Sequence, residues 1–222
     1  MGTVLVTGAD RGIGQALCLE LHKRGQTVIA ACLEDSPMLA GLGIRVERHV
    51  DVTSDTAVKS LATRLAGARL DVLINNAGVL RDGRLGALDF ADLRSQFEVN
   101  ALGPLRVTEA LLPCLGPGSK VAIITSRVGS LTDNTSGGLY GYRMSKAAAN
   151  MAGVSLARDL KERGIAVILL HPGMVRTQLT QGMEGTFIEP EEAARGLLGR
   201  IDELTLESTG SFRHANGEFL PW

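Results

Sequence analysis

Tyr142 and Lys146 stand four residues apart in Leu139–Asn150, which reads L-Y-G-Y-R-M-S-K-A-A-A-N. At helical pitch this spacing sets a phenol and an ammonium on one face, one above the other. A phenol with a pKa of about 10 exchanges protons poorly at neutral pH, and a nearby cation favours its phenolate. The pair thus has the composition of a tuned acid/base. A Tyr and a Lys at this spacing also decorate many solvated helices, so the rest of the chain must decide between the two readings. Tyr140 has no such partner, because Met144 lies four residues on.

The elements that would position the pair alternate along the chain. Thr3–Thr7, Thr27–Cys32, Arg45–Val50, Leu70–Ile74, Lys120–Thr125 and Ile165–Leu170 are short apolar runs bounded by turn formers or charges. Continuous apolar runs of this kind suit strands buried on both faces. Between them, helical spacing of apolar residues predicts helices over Ile13–Arg24, Asp55–Ala66, Phe90–Leu112, Leu139–Arg163 and Pro190–Leu204. Gly25 sits where a helix stop belongs, and Asp133–Gly138 reads as a loop. Strand–helix alternation implies a doubly wound α/β fold with a parallel sheet covered on both faces. Gly210–Trp222 adds a last strand and an apolar tail, Phe219-Leu220-Pro221-Trp222.

Composition bounds the functions available. The 222 residues are 45% hydrophobic and 21% charged, enough for one well-buried core, so a single domain over 1–222 is expected. The net charge is −1 with Lys and Arg dispersed, which argues against a nucleic-acid partner or a membrane surface and for a small molecule. Cys18, Cys32 and Cys114 are odd in number and far apart, without metal or disulfide spacing. Neither a leader nor a long apolar run is evident, so a cytoplasmic protein without a resident metal is expected.

Thr7-Gly8-Ala9-Asp10-Arg11-Gly12-Ile13-Gly14 joins the first strand to the first helix. Glycines there let backbone N–H groups and the positive helix end approach a pyrophosphate. The spacing G-x-x-x-G-x-G resembles that of the short-chain dehydrogenase/reductase family, and further elements follow in that family's order over Thr3–Thr177. Asp51-Val52 matches the D-V that meets adenine. Asn75-Asn76-Ala77-Gly78 matches the N-N-A-G element beside the adenosine ribose. Asn100 in Glu98-Val99-Asn100 matches the helix Asn that anchors a proton-relay water. Ser126 matches the active-site Ser, and Pro172-Gly173-Met174-Val175-Arg176-Thr177 resembles the turn at the nicotinamide end. Singly, Asn75, Asn76, Asp51 and Ser126 are each better explained by a strand cap or a turn than by function. Jointly they fall at predicted strand ends, where such sheets bind ligands, with Asn100 alone on a helix. His171 has no role in the resemblance and reads as structural.

The resemblance implies a Rossmann-type sheet of about seven strands and transfer of a hydride between a dinucleotide and a small carbonyl or alcohol substrate. Lys146 would bind the nicotinamide ribose and lower the Tyr142 pKa. Tyr142 would be the acid/base, Ser126 would hold the substrate oxygen, and Asn100 a water. Cofactor contacts fall on Gly8, Asp10, Arg11, Gly12, Ile13, Gly14, Cys32, Leu33, Asp51, Val52, Asn76, Ala77, Gly78, Tyr142, Lys146, Pro172, Gly173, Val175 and Thr177. Cys32 and Leu33 stand where NAD-preferring members carry an acid, and Arg11 matches a basic position that meets a 2′-phosphate. That favours NADP(H), with NAD(H) the alternative because Glu34 and Asp35 follow closely.

Ser126 lies sixteen residues before Tyr142, whereas the residue at the family's usual count is Gly129. A three-residue insertion within Asp133–Gly138 accounts for the difference, and Ser130 is the alternative serine. The stretch from Ser126 to Lys146 is similar to a subgroup of small carbonyl reductases related to the bacterial C-factor. A substrate loop over 178–189 is short, with Met183 and Phe187 as apolar candidates for a lid. The helices over Phe90–Leu112 and Leu139–Arg163 correspond to those through which relatives pair, so a homodimer is expected and a tetramer is the alternative. A dinucleotide-binding sensor with little turnover is the competing class; the full set Asn100, Ser126, Tyr142, Lys146 favours an enzyme.

Overall fold

A computed structural model describes residues 2–222. Among these residues, seven parallel strands form one sheet in the order β3-β2-β1-β4-β5-β6-β7. They are β1 (Thr3–Thr7), β2 (Thr27–Ala31), β3 (Arg45–Glu47), β4 (Val72–Asn75), β5 (Lys120–Ile124), β6 (Ala166–His171) and β7 (Ser211–His214). The order reverses between β1 and β4, which pair in register with Leu5 opposite Leu73. That reversal opens a crevice at the carboxyl ends of these two strands.

Side-chain alternation divides the core into two layers. Val4 and Val6 of β1 face one layer, with Leu17 and Leu21 of α1 (Gly12–Lys23) and Leu197, Leu198 and Ile201 of α7 (Pro190–Asp202). Leu5 faces the other, with Val58 and Leu61 of α3 (Asp55–Arg64), Val107 of α5 (Gly103–Ala110) and Leu160 of α6 (Tyr140–Lys161). This is the two-residue period of a strand buried on both faces. Short α2 (Pro37–Gly41), absent from the sequence expectation, packs Leu39 into the first layer.

The helix expected over Phe90–Leu112 is broken. It comprises α4 (Phe90–Phe97), a π-helical segment Glu98–Leu102, α5 and a 3₁₀ turn Leu112–Cys114. Asp89 caps its start, its carboxylate accepting from Ala91 N at 2.7 Å. The break has two causes. Pro104 has no N–H to offer the Asn100 carbonyl one turn back, and Gly103 N–H donates instead to the Glu98 carbonyl five residues back. Gly103 also lies against Val52, where an added Cβ would be 3.0 Å from Cγ2.

Strand ends shift modestly from expectation. Arg45–Val50 shortens to Arg45–Glu47 because the chain turns at His49, whose φ is +55°. β2 stops at Ala31, one residue before Cys32. The tail folds back antiparallel on β7: Leu220 N donates to Phe212 O at 2.9 Å, and Trp222 stacks on Phe212 at 5.4 Å. No described helix is long and apolar enough to cross a membrane.

Candidate active site

The glycine turn is built by exclusion. Gly8 and Gly12 adopt φ of +61° and +55°, the left-handed region that favours glycine. A Cβ on Gly14 would collide with the Gly8 carbonyl and the Asn76 amide. Asn76 ties this turn to the end of β4, its Nδ2 donating to Thr7 O at 3.0 Å and Gly8 O at 3.1 Å. Thr7 Oγ1 returns the tie by accepting from Asn76 N and Ala77 N at 3.0 and 3.2 Å. The resulting cradle opens at the switch point of the sheet, above the start of α1. Across the crevice, the Thr177 methyl would lie 3.3 Å from a Cβ on Gly12, so the Pro172–Thr177 turn faces the glycine turn. These surfaces suit a phosphate-bearing ligand: free backbone, a helix N-terminus and no intruding side chain.

The surface around Arg11 and the end of β2 is less uniform. Asp10 O accepts from Gln15 Nε2 at 3.2 Å, and Arg11, largely exposed, has its Nε 3.8 Å from Asp10. Ile13 packs into the core. Cys32 is fully buried and its Sγ points to Ala30 O at 3.7 Å. Its thiol therefore faces the core, and burial pushes it up to about 12. Leu33, 49% exposed, is the surface residue at this strand end. Asp51 accepts from Thr53 N and Oγ1 at 2.8 and 2.7 Å. Val52 is buried against Gly103.

At the other end, α6 brings Tyr142 and Lys146 together. Lys146, 4% exposed, donates from Nζ to Ile124 O at 2.9 Å and lies 5.6 Å from the Tyr142 ring centroid. Its burial lowers its pKa to about 8. Tyr142, part-buried, is pushed up to about 12 by burial of its phenol, and a hydrogen bond with the Ser126 hydroxyl opposes that shift. Gly78 leaves room beside the ammonium: a Cβ there would stand 3.7 Å from Nζ and 3.3 Å from Asn100 Oδ1.

The two candidate serines sit in different surroundings. Ser126 lies two residues beyond β5 and beside Tyr142, whereas Ser130 Oγ accepts from Asp133 N at 3.0 Å. At Gly129 a Cβ would lie 2.8 Å from the Lys146 carbonyl carbon, so the turn after Ser126 sits directly on α6 and admits no side chain. Two arginines fix the loop that follows. Arg143 donates to Gly137 O, Val128 O and Ser136 Oγ at 3.2, 3.2 and 2.8 Å. Arg127 pairs with Asp133 at 3.5 Å and with Glu218 of the tail.

Asn100 belongs to the same cluster. Its Nδ2 donates to Val79 O at 2.8 Å and Ser145 Oγ at 3.0 Å, and its Oδ1 accepts from Val79 N at 2.9 Å. Its side chain is thus held within the protein, and Pro104 cannot donate to its backbone carbonyl. A π-helical segment at this point matches a common feature of functional helices.

His171 and His214 face each other edge to face at 5.0 Å at the ends of β6 and β7. Burial, then His214, Arg127 and Lys146, push the His171 pKa down to about 3, so it is a neutral packed residue. Beyond Thr177, a cleft of about 370 Å³ is lined by Arg176, Gln178, Met183 and Phe187 among others, inside the 178–189 loop. Among the described residues, no group of three or more His, Cys, Asp or Glu side chains could hold a metal. Sequence reading missed Gln96, Ser145 and Arg143. The first two are buried partners of the site, and nothing in their spacing marked them.

Comparison with known proteins adds similarities over the whole chain. The family model described as short chain dehydrogenase matches residues 2–186. A 1-hydroxy-2-glutathionyl-2-methyl-3-butene dehydrogenase from Rhodococcus sp. (strain AD45) is 54% identical over 226 residues, covering 100% of both chains. C-signal of Myxococcus xanthus is 48% identical over 170 residues, covering 74% of this chain and 100% of that protein. Among solved structures, the NADPH-bound carbonyl reductase from chicken fatty liver superposes with a TM-score of 0.92 at 28% identity, covering 100% of this chain and 99% of that one.

Proposed function

Because the chain belongs to the short-chain dehydrogenase/reductase family and is an oxidoreductase, we propose that it is a single-domain, NADP(H)-dependent carbonyl reductase with Tyr142 as its acid/base. The observation that carries this reading is the convergence of Ser126, Tyr142 and Lys146 beside a glycine cradle that backbone contacts keep free of side chains. Gly8, Gly12 and Gly14 would hold the pyrophosphate, Leu33 and Arg11 the adenosine end, and Lys146 the nicotinamide ribose. The bound dinucleotide supplies the hydride.

The chain's own residues manage the proton. With its pKa near 12, Tyr142 carries its proton throughout the neutral range and gives it to the carbonyl oxygen as negative charge develops there. Ser126 donates a hydrogen bond to the same oxygen and fixes its position. Lys146 lowers the cost of the transient phenolate from a site that excludes water. Asn100 holds the next partner on its carbonyl, giving the ammonium a path by which the proton is replaced. In the oxidising direction the same groups run in reverse on an alcohol.

NADP(H) is favoured over NAD(H) by the absence of an acid at Cys32 and Leu33 and by the pairing of Asp35 with Arg48 at 2.8 Å. A homodimer through α4, α5 and α6 fits the apolar residues that these helices expose, including Met144 and Met151, 52% and 69% exposed and two turns apart on α6. The test follows nicotinamide absorbance with aldehydes, ketones and quinones under NADPH, and with alcohols under NADP⁺, including the compound in the Rhodococcus enzyme's name. Turnover of a carbonyl with NADPH is expected. Dinucleotide binding without turnover across the whole panel would overturn the reading.

A further inference from the structure

Gln96 lies on α4 one turn before Asn100 and is 1% exposed. The two ends of its amide go to different walls of the site. Oε1 accepts from Arg81 N at 2.9 Å. Nε2 packs against Gly141 so closely that a Cβ there would overlap it, and it makes a long bond to Asp92 O at 3.4 Å. Asn100 meanwhile holds both Val79 N and Val79 O.

The two amides are matched to the segment they grip. Four helical residues rise about 6 Å, and two extended residues span roughly 6.6 Å. Side chains one turn apart, Gln96 at the end of α4 and Asn100 in the π-helical segment, therefore meet backbone positions 81 and 79. The segment starts at Gly78, beside the Lys146 ammonium. Gln96 thus stands between the backbone at Arg81 and the backbone immediately before Tyr142. Gly141 supplies the complementary recess, since any larger residue would displace the amide from Arg81.

We propose that Gln96 is a positioning residue that sets the separation between Arg81 and the Gly141–Tyr142 turn of α6, and through it the placement of the carbonyl substrate over the Tyr142 hydroxyl. The proposal rests on the reductase reading given above. A Met at position 96 would fill the same space while leaving Arg81 N without its acceptor.

Steady-state kinetics of Gln96→Met, with dinucleotide affinity measured separately by titration, tests it. The carbonyl KM should rise about tenfold with a smaller change in kcat and an unchanged dinucleotide Kd. Gly141→Ala approaches the contact from the other side and remains informative where Gln96→Met folds poorly. Alone it should raise the same KM; combined with Gln96→Ala, which vacates the recess, it should add nothing further. A native KM in Gln96→Met, a parallel loss of dinucleotide affinity, or additive effects at 96 and 141 would each overturn the assignment. A wild-type chain that turns over no carbonyl overturns the reductase reading instead, and the positioning role with it.

Discussion

The Lys146 ammonium donates to the Ile124 carbonyl 2.9 Å away, at the carboxyl end of β5. It is a charge held inside the fold by one neutral acceptor, and its pKa falls from 10.5 to about 8. The sign of the consequence is fixed: below pH 8 both folded and unfolded chains carry the proton, and burying it costs about 3 kcal/mol. That cost disappears as pH rises from about 8 to 10.5, where the unfolded chain binds more protons than the folded one. Replacing Lys146 by Met forfeits a hydrogen bond of about 1 kcal/mol but removes the buried charge. The unliganded variant should therefore melt roughly 4–8 °C higher at pH 7, with the gain shrinking above pH 8, while turnover is lost. Melting curves between pH 6 and 10 check this; a variant that melts lower at pH 7 contradicts it.

Tyr142→Phe removes one oxygen and leaves the ring in place beside Lys146. Turnover should fall by about 10²–10⁴, with dinucleotide affinity nearly unchanged, as measured by titration and initial rates. For the native chain, alcohol oxidation should accelerate with pH through the neutral range, because the phenolate fraction grows tenfold per unit well below a pKa of about 12. A Tyr142→Phe variant with near-native rate would remove the phenol from the mechanism.

What the sequence made legible, and what it hid, follows from the range of each interaction. Tyr142 and Lys146 were visible because a helix fixes the geometry of residues four apart. The glycine turn was visible because strand, turn and helix are contiguous. The break at Glu98–Leu102 left only Pro104 as a sign, inside a run whose apolar spacing otherwise reads as one helix. Gln96 gave no sign, since its partners Arg81 and Gly141 lie 15 and 45 positions away and both contacts are to backbone. Cys32 lies one residue beyond the end of β2, and its thiol shares the buried layer of Val28 and Ala30, which leaves Leu33 as the exposed residue there. Strand ends are set by where neighbouring backbone runs out of partners, which local composition does not encode.

Asn76 offers a stability test of the cradle. Its two donations to Thr7 O and Gly8 O hold the glycine turn against β4, and Asn76→Ala would leave both carbonyls without that donor. The expected loss is about 1–3 kcal/mol, read as a fall of several degrees in melting temperature. Dinucleotide Kd should rise as well, since the turn must then be ordered by the ligand. Gly14→Ala is harsher, because the added methyl meets the Gly8 carbonyl directly. If both variants bind dinucleotide like the native chain, the cradle is not where the phosphates sit.

The proposed cofactor preference can be tested at the surface beyond β2. Leu33 is the exposed residue there, and the nearest downstream acid with a partner, Asp35, is engaged by Arg48 at 2.8 Å. The Arg11 guanidinium, held to Asp10 only at 3.8 Å, is free to meet a phosphate. A carboxylate at position 33 would accept ribose hydroxyls and repel a 2′-phosphate. Leu33→Asp should therefore lower the ratio of kcat/KM for NADPH over NADH by at least about tenfold, roughly the worth of one charge contact in a partly solvated site. Arg11→Gln should weaken NADPH alone, and the difference should narrow as salt screens the pair. The two variants separate the contributions: a change confined to Leu33→Asp assigns the preference to the strand end, and a change confined to Arg11→Gln assigns it to the glycine turn. A native chain that prefers NADH would mean that Glu34 or Asp35 reaches the ribose despite the arginine beside it.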